Sequence, residues 1–175
     1  PREQGNLSSE IKALFPEMGP MVGYACTALI RAEQGPIEGH RASLFGWWDF
    51  VMSIPAPRVI VVHDLDEPRG QGAQWGEVQA NIHRALGCVG VVTDGSVRDL
   101  DEVRALNFQF CAAHVSVSHA NVHMVDFGIP VKVGGVLVKP GDLIHGDQHG
   151  VVTIPHDIAT GIPDDDGLIG WPVTD

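Results

Sequence analysis

The sequence predicts a small layered α/β domain with a mixed sheet, helices on one side and a smaller antiparallel β section. Three observations predict it. Between residues 58 and 117, apolar runs of strand length alternate with helical stripes. Beyond residue 128 the apolar runs shorten and are separated by hairpin and turn signals, Gly134-Gly135 and Lys139-Pro-Gly-Asp142 among them. At 175 residues, 44% of them hydrophobic, the chain has material for one core and reads as a single domain over 1–175.

The elements follow in order. Met21–Ile30 alternates well enough for a strand, and the polar, glycine-containing stretch 31–41 reads as a loop. Ala42–Ile54 carries Leu44, Trp47, Trp48 and Val51 at helical spacing and is ended by Pro55. Trp47, Trp48 and Phe50 are either core residues or part of an assembly surface. Residues 58–63 form a buried strand, a glycine-rich turn follows, and Glu77–Leu86 forms a helix with Val78, Ile82, Ala85 and Leu86 on one stripe. Gly87 is a natural residue just past that helix. Cys88–Thr93 is a second strand, Thr93–Asp99 a loop, Asp99–Asn107 a short helix and Phe110–Val117 a third strand. Short strands then fall at 129–133, 136–138, 143–145 and 151–154, and the tail 161–175 is expected to be irregular.

Composition excludes several classes. With 11 basic against 22 acidic residues the net charge is −11, so nucleic acid is not an expected partner. No apolar run approaches the roughly 20 residues that span a bilayer, so no membrane partner is expected either. Cys26, Cys88 and Cys111 are odd in number and lie in apolar runs, which points to reduced, buried thiols in a cytoplasmic protein. His145-Gly-Asp147-Gln-His149 has the residue types of a zinc site, but it lies in a turn between strands and lacks a zinc-site spacing.

Two motifs carry chemistry. Arg69-Gly-Gln-Gly-Ala-Gln-Trp-Gly76 joins a strand to a helix, where free amides and the positive end of the helix dipole favour an anion. Its glycines are one residue off the dinucleotide fingerprint, so a pyrophosphate is not expected. The amides near Gly76, Glu77, Val78 and Gln79 form the seat. The second motif is Asp94-Gly-Ser-Val-Arg98-Asp99, just past the neighbouring strand. Sites in parallel α/β sheets form at that carboxyl edge. The guanidinium of Arg98 suits a carboxylate, and Asp99 suits Mg²⁺ or Mn²⁺ completed by waters and substrate oxygens. The plainer alternatives are a surface ion pair for Arg98 and a helix cap for Asp99, since Asp99-Leu-Asp-Glu102 has the form of a capping box.

Glu77, 20 intervening residues and then Arg98-Asp99 resemble the D-x20-R-D signature of the RraA-like family. That family includes 4-hydroxy-4-methyl-2-oxoglutarate aldolases and regulators of ribonuclease E activity. Gly87–Asp99, Pro130–Val136, Val138–Asp142, Asp147–Val152 and Ile154-Pro155 are similar to it as well, so that the likeness covers roughly 20–159. The chain departs from the signature at position 77, where Glu replaces Asp.

The resemblance implies a β/β/α swivelling domain assembled as a homotrimer or hexamer, with the site at a subunit interface. It implies a divalent-metal-dependent lyase acting on a small anionic 2-oxo acid. A 4-hydroxy-2-oxo acid would be cleaved to pyruvate and a carbonyl product, and oxaloacetate decarboxylated as a side reaction. Transferred to this chain, Gly76 to Gln79 and Arg98 bind the pyruvyl end, Asp99 carries the metal, and Glu77 orients or deprotonates a water. An acid from a neighbouring subunit completes the family's site, with Asp164 to Asp166 as the candidates here. The alternative is a non-catalytic binding regulator of a ribonuclease.

Overall fold

The computed structural model describes residues 5–37 and 42–159. Eleven strands and four α-helices follow one another among the described residues. They are β1 (Lys12–Ala13), β2 (Met21–Arg31), α1 (Leu44–Ser53), β3 (Arg58–Asp64), β4 (Ala73–Trp75), α2 (Glu77–Ala85), β5 (Cys88–Val97), α3 (Leu100–Ala105) and β6 (Gln109–Val115). After these come β7 (His123–Phe127), β8 (Val131–Val133), β9 (Val136–Val138), β10 (Leu143–Asp147), β11 (Gly150–Ile154) and α4 (His156–Ala159). The expected mixed sheet is present, nine-stranded, with the path β1-β6-β5-β3-β2-β10-β11 and with β4 on β5 and β7 on β2. Strands β2, β3, β5 and β6 run parallel, whereas β10 pairs antiparallel with both β2 and β11. The smaller antiparallel sheet is the hairpin β8–β9, turned by Gly134 and Gly135 at φ +54 and +85. Positive φ at both central residues is what a tight hairpin turn with the right twist requires.

Alternation along the central strands sorts the core into two faces. Ile60 and Val62 of β3 and Val91 of β5 pack with Trp47, Val51, Ala80 and Val103 from α1, α2 and α3. Val59, Val61 and Val92 point the other way, toward Val131, Val133, Val136 and Val138 of the hairpin and Leu7 and Ile11 of the N-terminal segment. The three helices therefore share one face, as expected, and the hairpin covers the other. Trp47 is fully buried, which makes it core; the apolar residues that α1 exposes are Leu44, Phe45 and Met52. All three cysteines are buried and free. Burial pushes the thiols of Cys88 and Cys111 up to about 12, so they carry no thiolate near neutral pH.

Some boundaries differ from expectation. Strand β5 continues to Val97, so residues 93–97 are strand and not loop. Its register against β6 shifts between Thr93 and Ser96, while β4 pairs with it at Ser96 and Val97. The expected strand at 129–133 is confined to 131–133, and the expected helix at 99–107 to Leu100–Ala105. Strands β1 and β7 lie in segments to which the sequence reading assigned no element. The tail 161–175, with Asp164 to Asp166, lies outside the described residues.

Candidate active site

The site begins where β5 ends. Arg98 donates its backbone N–H to the Trp75 carbonyl at 2.8 Å and its guanidinium Nη1–H to the Ala73 carbonyl at 2.9 Å. The glycine-rich segment is thus tied to the carboxyl edge of β5. Asp99 follows in the left-handed conformation, φ 54 and ψ 48. For a residue other than glycine that backbone costs about 1 kcal/mol or more, and aspartate tolerates it better than most.

This backbone turns the Asp99 side chain away from its own helix. Asp99 stands at the N-cap position of α3 and its carbonyl accepts from Val103 N–H at 3.0 Å, but its carboxylate caps nothing in α3. The capping-box alternative therefore fails. Instead Asp99 Oδ2 accepts from the N–H of Glu77, the first residue of α2, at 3.0 Å. The same oxygen lies 3.4 Å from Arg98 Nε. Gly76 makes the approach possible: a Cβ there would fall on Asp99 Oδ2 and come within 2.9 Å of Arg98 Cγ.

The turn thus does receive a carboxylate at its first amide, and that carboxylate is the chain's own Asp99. The amides of Val78 and Gln79 belong to the same first turn, where helix geometry provides no partner further back in the helix. Val78 is 65% exposed, and the Glu77 side chain is exposed too. The structure therefore brings Gly76, the Glu77 amide, Arg98 and Asp99 together, with Glu77, Val78 and Gln79 along the adjoining helical turn. Arg98 and Asp99 are 27% and 37% exposed. An ion pair this open adds little stability, about 0–1 kcal/mol. Its effect is to hold one cation and one anion side by side at an accessible edge.

The donor set fits a hard divalent ion with few protein ligands. Asp99 Oδ1 makes no hydrogen bond among the described residues. No group of three His, Cys, Asp or Glu placed to hold a metal exists among them. One carboxylate oxygen with waters and substrate oxygens suits Mg²⁺, which gives up its waters reluctantly. His145, Asp147 and His149 line one cavity, but Asp147 Oδ1 is taken by the His149 N–H at 2.7 Å.

Two further groups flank this edge, and neither was singled out from the sequence. On the buried side of α2, His83 has Nδ1–H donating to the Gln79 carbonyl at 2.8 Å and Nε2 accepting from Trp47 Nε1–H at 2.7 Å. Burial pushes its pKa down to about 4, which keeps it in this neutral tautomer. Beside it a cavity of about 150 Å³ is lined by Gln74, Trp75, Gln79, His119 and His123, among others. On the hairpin face, His63 and Asp94 meet at 2.7 Å. Their signal in the sequence is the alternation Val59, Val61, His63 and Val92, Asp94, which places both on the hairpin side.

The sequence model of one family, described as RraA-like: Aldolase/RraA, matches residues 2–153. This chain belongs to the RraA-like family. Several of its relatives bear the name "Putative 4-hydroxy-4-methyl-2-oxoglutarate aldolase". That of Halalkalibacterium halodurans is 37% identical over 81 residues, covering 46% of this chain and 39% of the relative. That of Ectopseudomonas mendocina is 31% identical over 85 residues, covering 47% and 52%. The matched segments thus take in about half or less of these relatives. Among solved structures, Streptomyces coelicolor RraAS2 superposes with a TM-score of 0.71 at 25% identity, covering 91% of this chain and 77% of that one. It is described as an unusual member of the RNase ES inhibitor RraA protein family. The layered RraA-like fold expected from the sequence is therefore the fold of this chain. No helix among the described residues is long and apolar enough to cross a membrane.

Proposed function

We propose that this RraA-like domain is a divalent-metal-dependent aldolase that cleaves a 4-hydroxy-2-oxo acid to pyruvate and a carbonyl product. The observation that carries this reading is the placement of Asp99. Its carboxylate leaves its own helix, crosses over Gly76 to the start of α2, and stands beside Arg98. One oxygen, Oδ2, meets the Glu77 N–H and Arg98, and the other makes no hydrogen bond among the described residues.

In this reading the substrate carboxylate binds the Arg98 guanidinium and the amides of Val78 and Gln79, where the helix dipole adds positive potential. Nη1 of Arg98 is anchored on the Ala73 carbonyl, so the guanidinium is oriented before substrate arrives. The group beyond C4 points to the cavity lined by Gln74, Gln79, His119 and His123. A water oriented by Glu77 takes the proton of the C4 hydroxyl. The C4–O electrons form the new carbonyl, the C3–C4 bond breaks, and its electron pair moves through C2 onto the 2-oxo oxygen. Arg98 stabilises the negative charge of the resulting enolate, and protonation at C3 gives pyruvate. Asp99 would hold the Mg²⁺ or Mn²⁺, which would supply Lewis acidity favouring the same charge. Oxaloacetate would yield this enolate by losing CO₂, so decarboxylation is the natural side reaction. Leu44, Phe45 and Met52 on α1 offer an apolar surface for assembly as a homotrimer or hexamer.

Pyruvate release from 4-hydroxy-4-methyl-2-oxoglutarate and related acids tests the reading. Activity with Mg²⁺ or Mn²⁺, its loss on chelation and its return with the metal are expected. If no 4-hydroxy-2-oxo acid is cleaved with either metal, the lyase reading fails. The second reading, a non-catalytic regulator of a ribonuclease, then takes its place, supported by the likeness to RraAS2.

A further inference from the structure

We propose that a second small-molecule site lies on the hairpin face of the sheet and takes a small monoanionic hydroxy acid. A cavity of about 330 Å³ opens at the carboxyl ends of β3 and β5, between the sheet and the β8–β9 hairpin. Glu10, His63, Arg69, Asp94 and Lys132 are among the residues that line it. None of the residues lining it belongs to the Arg98–Asp99 site, and the inference does not depend on the aldolase reading.

The polar groups are fixed from behind. Asp94 Oδ2 accepts from His63 Nδ1–H at 2.7 Å and lies 3.5 Å from Arg69 Nε, and its Oδ1 accepts the Asp64 N–H at 2.9 Å. Arg69 Nε–H also donates to the Asp64 carbonyl at 3.1 Å. These contacts use the inner edge of the guanidinium and leave its two terminal nitrogens without a partner among the described residues. The Lys132 ammonium likewise has none. Two cations with donors to spare in one cavity recognise an oxyanion, and the arginine fork favours a carboxylate. The exposed carboxylate of Glu10 disfavours a second negative charge on the ligand. With Asp94 on Nδ1, the neutral imidazole presents Nε2 as an acceptor, whose complement is a hydroxyl. One wall is close-packed: Ser8 N–H donates to the Gly134 carbonyl at 2.8 Å, and a Cβ at Gly134 would strike Ser8 N and Leu7 Cβ at 2.9 Å.

The test is a titration followed by histidine-ring NMR on the whole chain in the presence of a chelator. Glycerate, propionate and inorganic phosphate are the probes, and the His63 signal is assigned with His63→Gln. Saturable shifts of that signal by glycerate are expected, with a Kd on the order of 1 mM. Propionate, lacking the hydroxyl, should bind about tenfold more weakly. Arg69→Met and Lys132→Met should each weaken glycerate at least about fivefold; both side chains reach the surface, so the fold should survive either change. The proposal is overturned if glycerate leaves the His63 signal unmoved, or if neither substitution changes its affinity. It is overturned in its ligand class if propionate or phosphate binds as tightly as glycerate.

Discussion

The carboxyl edge of the parallel strands carries two polar clusters, one on each face. On the helix face, Arg98 and Asp99 are adjacent in sequence and open to solvent, at 27% and 37% exposure. On the hairpin face, His63 and Asp94 are 31 residues apart in sequence and nearly buried, at 16% and 10%. The helix-face pair is shaped by backbone: a left-handed residue, a glycine that lets a carboxylate pass and the first amide of a helix. The hairpin-face pair is shaped by strand pairing, because β3 and β5 run parallel in neighbouring register. The lesson is that an edge of one sheet can build two sites by different means. The first leaves Asp99 Oδ1 without a hydrogen bond among the described residues, as the proposed metal would require; the second satisfies its carboxylate, as a fixed hydrogen-bonding group requires.

The contrast can be broken at Asp99. If its carboxylate serves chemistry and not the α3 cap, Asp99→Ala should lower kcat/KM for pyruvate release by about 10³-fold, roughly 4 kcal/mol, and abolish the response to Mg²⁺. Thermal melting should fall only modestly, by the loss of the one hydrogen bond to the Glu77 N–H, on the order of 1 kcal/mol. A large fall in Tm with intact metal activation would restore the capping role.

The next effect is on stability and belongs to the support beneath the helix face. His83 is held neutral by burial, at about 4 against an ordinary 6.5. Between those values the unfolded chain binds a proton that the folded chain refuses. His83 therefore contributes stability that is present above pH 6.5 and lost as pH falls toward 4, by ~3 kcal/mol. Urea unfolding of the parent and of His83→Gln across this window measures it. The parent should show the steeper loss on acidification, and equal slopes would contradict the buried neutral tautomer.

On the hairpin face the expectation reverses. Val133 is fully buried on the sheet-facing side of the hairpin, far in function from Arg98. Val133→Ala should cost about 2 kcal/mol of stability by leaving a cavity, with kcat/KM unchanged within about twofold. A specific kinetic defect without destabilisation would mean that the two faces are coupled.

This difference also explains what could be read from the sequence. Strand β3 and helix α2 fall within a residue of their expected ranges, since their signals are local: an apolar run and a helical stripe. The Arg98-Asp99 pair was legible for the same reason, being contiguous and placed after a strand. The side chain of Asp99 was not, because D-x-x-E states a capping preference that the left-handed backbone overrides. Strand β4 was hidden in a glycine-rich stretch, since only its pairing with β5 makes it a strand. Likewise the His63–Asp94 contact needs the register of β3 against β5, which no local pattern contains. The Trp47–His83 hydrogen bond joins two helices and was equally out of reach.

The central claim, that the helix-face pair performs lyase chemistry, is tested most directly by kcat/KM for metal-dependent pyruvate release from a 4-hydroxy-2-oxo acid, measured on Arg98→Ala beside the parent. The account predicts a loss of about 10²-fold or more, ~3 kcal/mol, with Arg98→Lys also impaired because lysine keeps the charge but not the planar fork. Cleavage by Arg98→Ala at the parent's rate would contradict it.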